Sequence, residues 1–119
     1  MLVEDDELVR SVSVMLAQTL GYEVVSFGSS AEALAHARTT RLAGIDMLLT
    51  DVVMPEVNGQ TLARECLAIM PGLRVLYMSG YVDDPLTQHT FAHEGAHFLA
   101  KPFSADEFAA KLAHVMIGP

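Results

Sequence analysis

The chain has 119 residues, 51% of them apolar, with 15 Asp and Glu against seven Lys and Arg and a net charge of −8. A chain of this length builds one hydrophobic core and not two, so a single domain over residues 1–119 is expected. The acidic balance and the scattered cations exclude direct nucleic-acid binding, and no uncharged apolar tract reaches the ~18 residues of a membrane span.

Apolar runs of strand length alternate five times with amphipathic stretches of helix length, the pattern of a parallel sheet. Met1–Val3 is the first strand. It meets the acidic run Glu4-Asp5-Asp6-Glu7 after only three residues, short for a central strand, so a strand truncated at its N-terminus by excision from a longer protein is expected. The first helix is predicted from about Glu7 to Leu20, with Leu8, Val12, Leu16 and Leu20 on one face and Gly21 ending it. Glu23–Phe27 is the second strand, and Ser29 with Glu32 forms a capping box for the second helix. Met47–Thr50 is the third strand, delivering Asp51 into the turn Val52-Val53-Met54-Pro55. Asn58 caps a third helix whose Leu62, Cys66, Ile69 and Met70 face inward. Val75–Met78 is the fourth strand. Asp84-Pro85 begins a fourth helix that Gly95 stops, His97–Ala100 is the fifth strand, and Ser104 with Glu107 caps the fifth helix. Cys66, on an apolar helical face, reads as core. His89 and His93 share a helical face without a third ligand, which argues against zinc.

Five such units with short connections make a doubly wound α/β domain, a five-stranded parallel sheet in the order 2-1-3-4-5 flanked by five helices. Parallel strands end on one side of their sheet, and ligands bind at that carboxyl edge. Glu4 and Asp5, Asp51, Ser79 and Lys101 each follow or close a predicted strand and therefore converge. Clustered carboxylates are the hard-oxygen environment that Mg²⁺ prefers, and an aspartate beside that ion can accept a phosphoryl group.

Four segments carry a resemblance that covers the whole chain: Val3-Glu4-Asp5-Asp6, Asp51-Val52-Val53-Met54-Pro55 with Asn58-Gly59, Met78-Ser79-Gly80-Tyr81, and Lys101-Pro102-Phe103. In this order, each at a strand's carboxyl end, they resemble the CheY-like receiver domain of two-component response regulators. The resemblance implies that Asp51 takes a phosphoryl group from a phosphohistidine on a sensor histidine kinase or histidine phosphotransfer domain. It implies that Mg²⁺ is held by Glu4, Asp5, Asp51 and the backbone carbonyl of Val53. Three carboxylates against one divalent ion leave a negative site, so Lys101 is needed to bring in the dianionic group. Ser79 would donate to a phosphate oxygen, and Pro102 would follow a cis peptide that aims the lysine.

Switching is then expected to run from Ser79 through Phe98, where the family often has tyrosine, to the surface of the fourth helix, fifth strand and fifth helix. Val53 and Tyr81, two residues beyond Asp51 and Ser79, are placed to control the water that hydrolyses the aspartyl phosphate. Such a module catalyses only its own phosphorylation and dephosphorylation. The run Leu76–Asp84 looks like receivers fused to hybrid sensor histidine kinases, and a stand-alone regulator is the near alternative. The single cysteine and the acidic start, where a secretory leader is basic, fit a cytoplasmic domain whose parent protein could be membrane-anchored.

Three other readings compete. A Mg²⁺-dependent phosphohydrolase of the haloacid dehalogenase type also uses an aspartyl nucleophile, but it wants a second Asp where this chain has Val53. A flavodoxin would need a phosphate-binding loop where Glu4–Glu7 stand. A degenerate receiver that binds partners without phosphorylation would not need Asp5, Asp51, Ser79 and Lys101 intact.

Overall fold

The computed structural model describes residues 1–80 and 97–117. In chain order the elements are β1 (Leu2–Val3), α1 (Glu7–Thr19), β2 (Ser26–Phe27), α2 (Ser30–Thr40), β3 (Met47–Asp51), α3 (Gly59–Ile69), β4 (Arg74–Ser79), β5 (His97–Ala100) and α4 (Ala105–Ile117). The helix α4 is the fifth predicted from sequence. The predicted fourth, with Tyr81 before it, lies outside the described residues. All five strands are parallel, in the order β2-β1-β3-β4-β5.

Alternation along the strands divides the core in two. Leu2, Leu49 and Leu76 stand side by side in register and pack with Met78 and Leu99 against Ala17 of α1 and Phe108, Leu112 and Val115 of α4. On the opposite face Val3, Leu48 and Tyr77 meet Ala33, Leu34 and Ala37 of α2 and Leu62, Ala63 and Cys66 of α3. Burying each large apolar side chain stabilises the fold by about 1.5–3 kcal/mol, so these two layers fix which face each helix covers. Cys66 is fully buried, and loss of solvation pushes its thiol up to about 11.

The caps predicted from sequence hold the helix starts. Glu32 N donates to Ser29 Oγ (3.3 Å) and Thr61 N to Asn58 Oδ1 (2.8 Å). Ser104 and Glu107 bond reciprocally, each backbone N–H to the other's side chain at 3.0 Å. Those contacts hold the Glu107 carboxyl below its ordinary range.

Two expectations need correction. The inward face of α1 is not Leu8–Val12–Leu16–Leu20: Leu8 is 74% exposed, and Val12 and Leu20 also face solvent. Ser13 and Ala17 are buried instead, with Val14 and Leu16 at the flanks. Leu8, Val12 and Met15 are left as an exposed apolar stripe. The second strand is shorter than Glu23–Phe27: only Ser26 and Phe27 pair in register, with Leu2 and Val3 of β1. Leu2 N still donates to Val25 O (2.8 Å). Beyond that contact the sheet opens into a cleft of about 400 Å³ at its amino edge, lined by Met1, Tyr22, Val24, Ile45 and Met47 among others.

Candidate functional site

The carboxyl ends of β1, β3, β4 and β5 bring the predicted residues to one rim. Asp51 closes β3 opposite Met78, and its carboxylate is only 11% exposed. Val52 N donates both to Asp51 Oδ1 (3.1 Å) and to Met78 O (3.1 Å), so the ladder itself orients one carboxylate oxygen. The other oxygen, Oδ2, meets Lys101 Nζ at 3.2 Å. The same ammonium lies 2.7 Å from Glu4 Oε1. Glu4 is wholly buried; its Oε2 accepts from Asp6 N (3.3 Å), and its backbone oxygen accepts from Arg10 Nη1 (2.9 Å).

Burial alone would lower the Lys101 pKa, but the Glu4 hydrogen bond and the Asp51 charge together outweigh it and raise it. Lys101 therefore stays cationic between two carboxylates. Asp5 sits on the solvent side of the cluster, its carboxyl raised by desolvation and then by the adjoining Glu4 carboxylate. Oxygens of Glu4, Asp5 and Asp51 all lie within 4.8 Å of one another. Mg²⁺ takes hard oxygen ligands, carboxylates among them, so the chemistry of this all-oxygen donor set fits that ion. Its charge would also relieve the repulsion that raises Asp5. Both Glu4 oxygens and both Asp51 oxygens already accept protein hydrogen bonds, which leaves Asp5 the most open donor.

The remaining predicted residues fall around this centre. Ser79 ends β4, and its backbone oxygen accepts from Lys101 N (2.8 Å). Gly80 abuts the Lys101 stem: a Cβ there would stand 3.8 Å from Lys101 Cε. The Lys101–Pro102 peptide is cis. Phe98 lies in β5 beside Tyr77 with ring centroids 5.6 Å apart. Val53 is 79% exposed in the loop after Asp51. Tyr81 is outside the described residues.

Sequence reasoning missed three supporting residues. Asp6 is the N-cap of α1 and accepts from Val9 N (3.0 Å), which anchors the acidic run to the helix start. Gly59 opens α3 directly against the backbone of Asp51, where any Cβ would overlap the Asp51 carbonyl. Only glycine lets that helix approach the strand end so closely. Ser30, the first residue of α2, hydrogen-bonds through its hydroxyl to Pro55 O and Val57 N of the loop beyond Asp51. Of the three, Asp6 and Gly59 had a signal, as parts of Val3-Glu4-Asp5-Asp6 and Asn58-Gly59, and Ser30 had none.

Comparison with known proteins agrees with this geometry. The family model of the response regulator receiver domain matches residues 1–113. The sensor kinase CckA of Brucella abortus is 36% identical over 98% of this chain, which spans 12% of that kinase. The response regulator receiver protein CpdR of the same organism is 31% identical over 98% of this chain and 95% of its own length. The crystal structure of the receiver domain of the hybrid histidine kinase CckA superposes with a TM-score of 0.79 at 31% identity, covering 97% of this chain and 95% of that one. With five parallel strands in the order 2-1-3-4-5 and an acidic pocket at their carboxyl edge, the chain belongs to the response regulator receiver family of two-component systems.

Proposed function

We propose that Asp51 accepts a phosphoryl group from a phosphohistidine on a sensor histidine kinase or histidine phosphotransfer domain. The observation that carries this reading is the Lys101 ammonium held between Glu4 Oε1 and Asp51 Oδ2 at a rim whose third carboxylate, Asp5, faces solvent. In the transfer a carboxylate oxygen of Asp51 forms a bond to phosphorus, the histidine N–P bond breaks, and the imidazole keeps the electron pair and takes up a proton. Asp5 and Asp51, with Glu4 and the Val53 carbonyl, would hold Mg²⁺, which when bound neutralises charge on the transferring group. Lys101 gives up its Asp51 contact for an oxygen of the incoming group and so stabilises charge as it arrives. The Ser79 hydroxyl takes a second oxygen, and the backbone amides after Asp51 take the third.

A donor must approach over the N-terminus of α1, because Asp5 and Asp6 lead directly into that helix. The exposed Leu8–Val12–Met15 stripe beside it suits a partner with an apolar helical surface. Movement of Ser79 toward the phosphoryl group would be felt by Phe98 on the neighbouring strand and passed to the surface of β5 and α4. Val53 has no polar group to orient an attacking water, so with Tyr81 it would make the aspartyl phosphate long-lived. The likeness to CckA supports a receiver within a hybrid kinase, and that to CpdR a stand-alone regulator. Residues encoded on either side of this chain distinguish the two.

Treatment with acetyl phosphate and Mg²⁺ tests the reading by intact mass. The parent should gain one phosphoryl group and Asp51→Asn none; full labelling of that variant would rule out Asp51. Followed in time, the same label should decay faster in Val53→Asn, and an unchanged rate would remove Val53 from control of the water.

A further inference from the structure

We infer that Ser30 is a positioning residue that holds the β3–α3 loop in its metal-binding shape. The inference rests on the proposed Mg²⁺ site. Ser30 is the first residue of α2 and is 1% exposed. Its hydroxyl donates to Pro55 O (3.1 Å) and accepts from Val57 N (3.1 Å). Those two groups flank Glu56, which is not glycine yet has φ = 70°. A non-glycine residue in the left-handed region is strained and persists only where surrounding structure over-determines it. One buried hydroxyl bridging the carbonyl before Glu56 and the amide after it supplies that restraint.

The loop is fixed at both ends and at one side chain. Val52 is tied to the sheet through Met78 O, Gly59 N donates to Val52 O (2.8 Å), and Met54 is buried in the core. Between those anchors Val53 turns its side chain to solvent and its carbonyl is the proposed metal donor. Without Ser30, Pro55 O and Val57 N lose this partner and Glu56 is free to leave the left-handed region. The carbonyl of Val53 then samples several positions, and a weak site that depends on a preset donor loses affinity.

Ser29 provides the matched control, because it caps the same helix start through Glu32 N and, among the described residues, makes no hydrogen bond to the loop. Ser30→Ala and Ser29→Ala should both lower the melting temperature. Only Ser30→Ala should weaken Mg²⁺, by about threefold or more in an amide NMR titration, and speed hydrogen exchange at Val57 N–H by about tenfold or more. A parent that binds Mg²⁺ while Ser30→Ala binds it within twofold overturns the inference and leaves the site intact. Equal weakening in Ser29→Ala also overturns it, since general loosening of α2 would then suffice. A parent without any Mg²⁺ response at Asp5 and Asp51 overturns the site and this inference together. Should Ser30→Ala not fold, the parent alone decides: Val57 N–H exchanging at the rate of an unprotected amide refutes the restraint.

Discussion

Two amines lie at opposite edges of one sheet and meet opposite fates. At the carboxyl edge Lys101 Nζ stands between Glu4 Oε1 and Asp51 Oδ2, and its pKa rises despite burial. At the amino edge the Met1 ammonium donates to Met47 O (2.8 Å). Its pKa falls to about 6, because desolvation outweighs the attraction of Asp46. Burial is common to both; the partners differ. Two carboxylates in contact keep a buried cation charged, whereas one carbonyl and a more distant acid do not.

The largest break in this comparison should come from removing the cation at the carboxyl edge. Lys101→Met leaves the wholly buried Glu4 and the nearly buried Asp51 without their shared partner. Breaking a buried pair from one side costs about 3–5 kcal/mol, whereas removing both members together is often close to neutral. Urea unfolding without metal should show a loss of that order for Lys101→Met and recovery of most of it in Lys101→Met/Glu4→Gln. A single variant within ~1 kcal/mol of the parent would mean that water, not the pair, solvates Glu4. The linked pH effect follows from the raised Lys101 pKa. Its contribution is present below the ordinary lysine value of 10.5 and is lost as pH rises through the higher folded-state value.

The amino edge should show a smaller effect of opposite kind. The unfolded amine titrates near 8.0 and the folded one near 6, so between those values the unfolded chain binds the extra proton and stability rises with pH. In the 119-residue chain the gain approaches about 2 kcal/mol from pH 6 to pH 8, at 1.36 kcal/mol per unit. His97, lowered by burial and then by His114 and Lys111, adds in the same direction near its own ordinary value of 6.5. Acetylating the terminus separates the two: it should remove the larger part of the slope and leave the histidine part. A slope that survives acetylation in full would assign it to histidine alone.

The two edges also differ in how far they could be read from sequence. Strand ends are punctuated by residues with special chemistry, so Asp5, Asp51 and Lys101 announced the carboxyl edge, and the alternating βα pattern announced the strand order. Side-chain caps are local, and Ser29, Asn58 and Ser104–Glu107 were legible for that reason. Helix rotation is not local. Leu8 and Val12 have the spacing of a core face, yet Ser13 and Ala17 are the buried residues, since which face a helix turns inward is settled only by packing against the rest of the chain. Gly59 and Ser30 act on the Asp51 loop across gaps of eight and more residues, so their roles appear only when helices and strand are assembled.

The smallest effect is also the sharpest, because its sign reverses. Asp5 has its carboxyl raised above 3.8, by desolvation first and by Glu4 next, so at neutral pH its charge is carried at a cost to the folded state. That cost is absent below the unfolded pKa and grows as pH rises through the higher folded-state value. Asp5→Asn should therefore melt slightly above the parent at pH 7 without metal, and the advantage should vanish below about pH 4. Asp5 is exposed, and screening by solvent limits the gain to a few tenths of a kcal/mol, roughly one or two degrees. Added Mg²⁺ should invert the order. At ten times Kd a ligand confined to the folded state contributes about 1.4 kcal/mol, more than the repulsion it relieves, and the variant that lacks the carboxylate forgoes most of that gain. Melting curves of both proteins with and without Mg²⁺ contain the whole test. A variant less stable than the parent in metal-free buffer would show that Asp5 is not repelled there, and an order unchanged by Mg²⁺ would show that it is not a metal ligand.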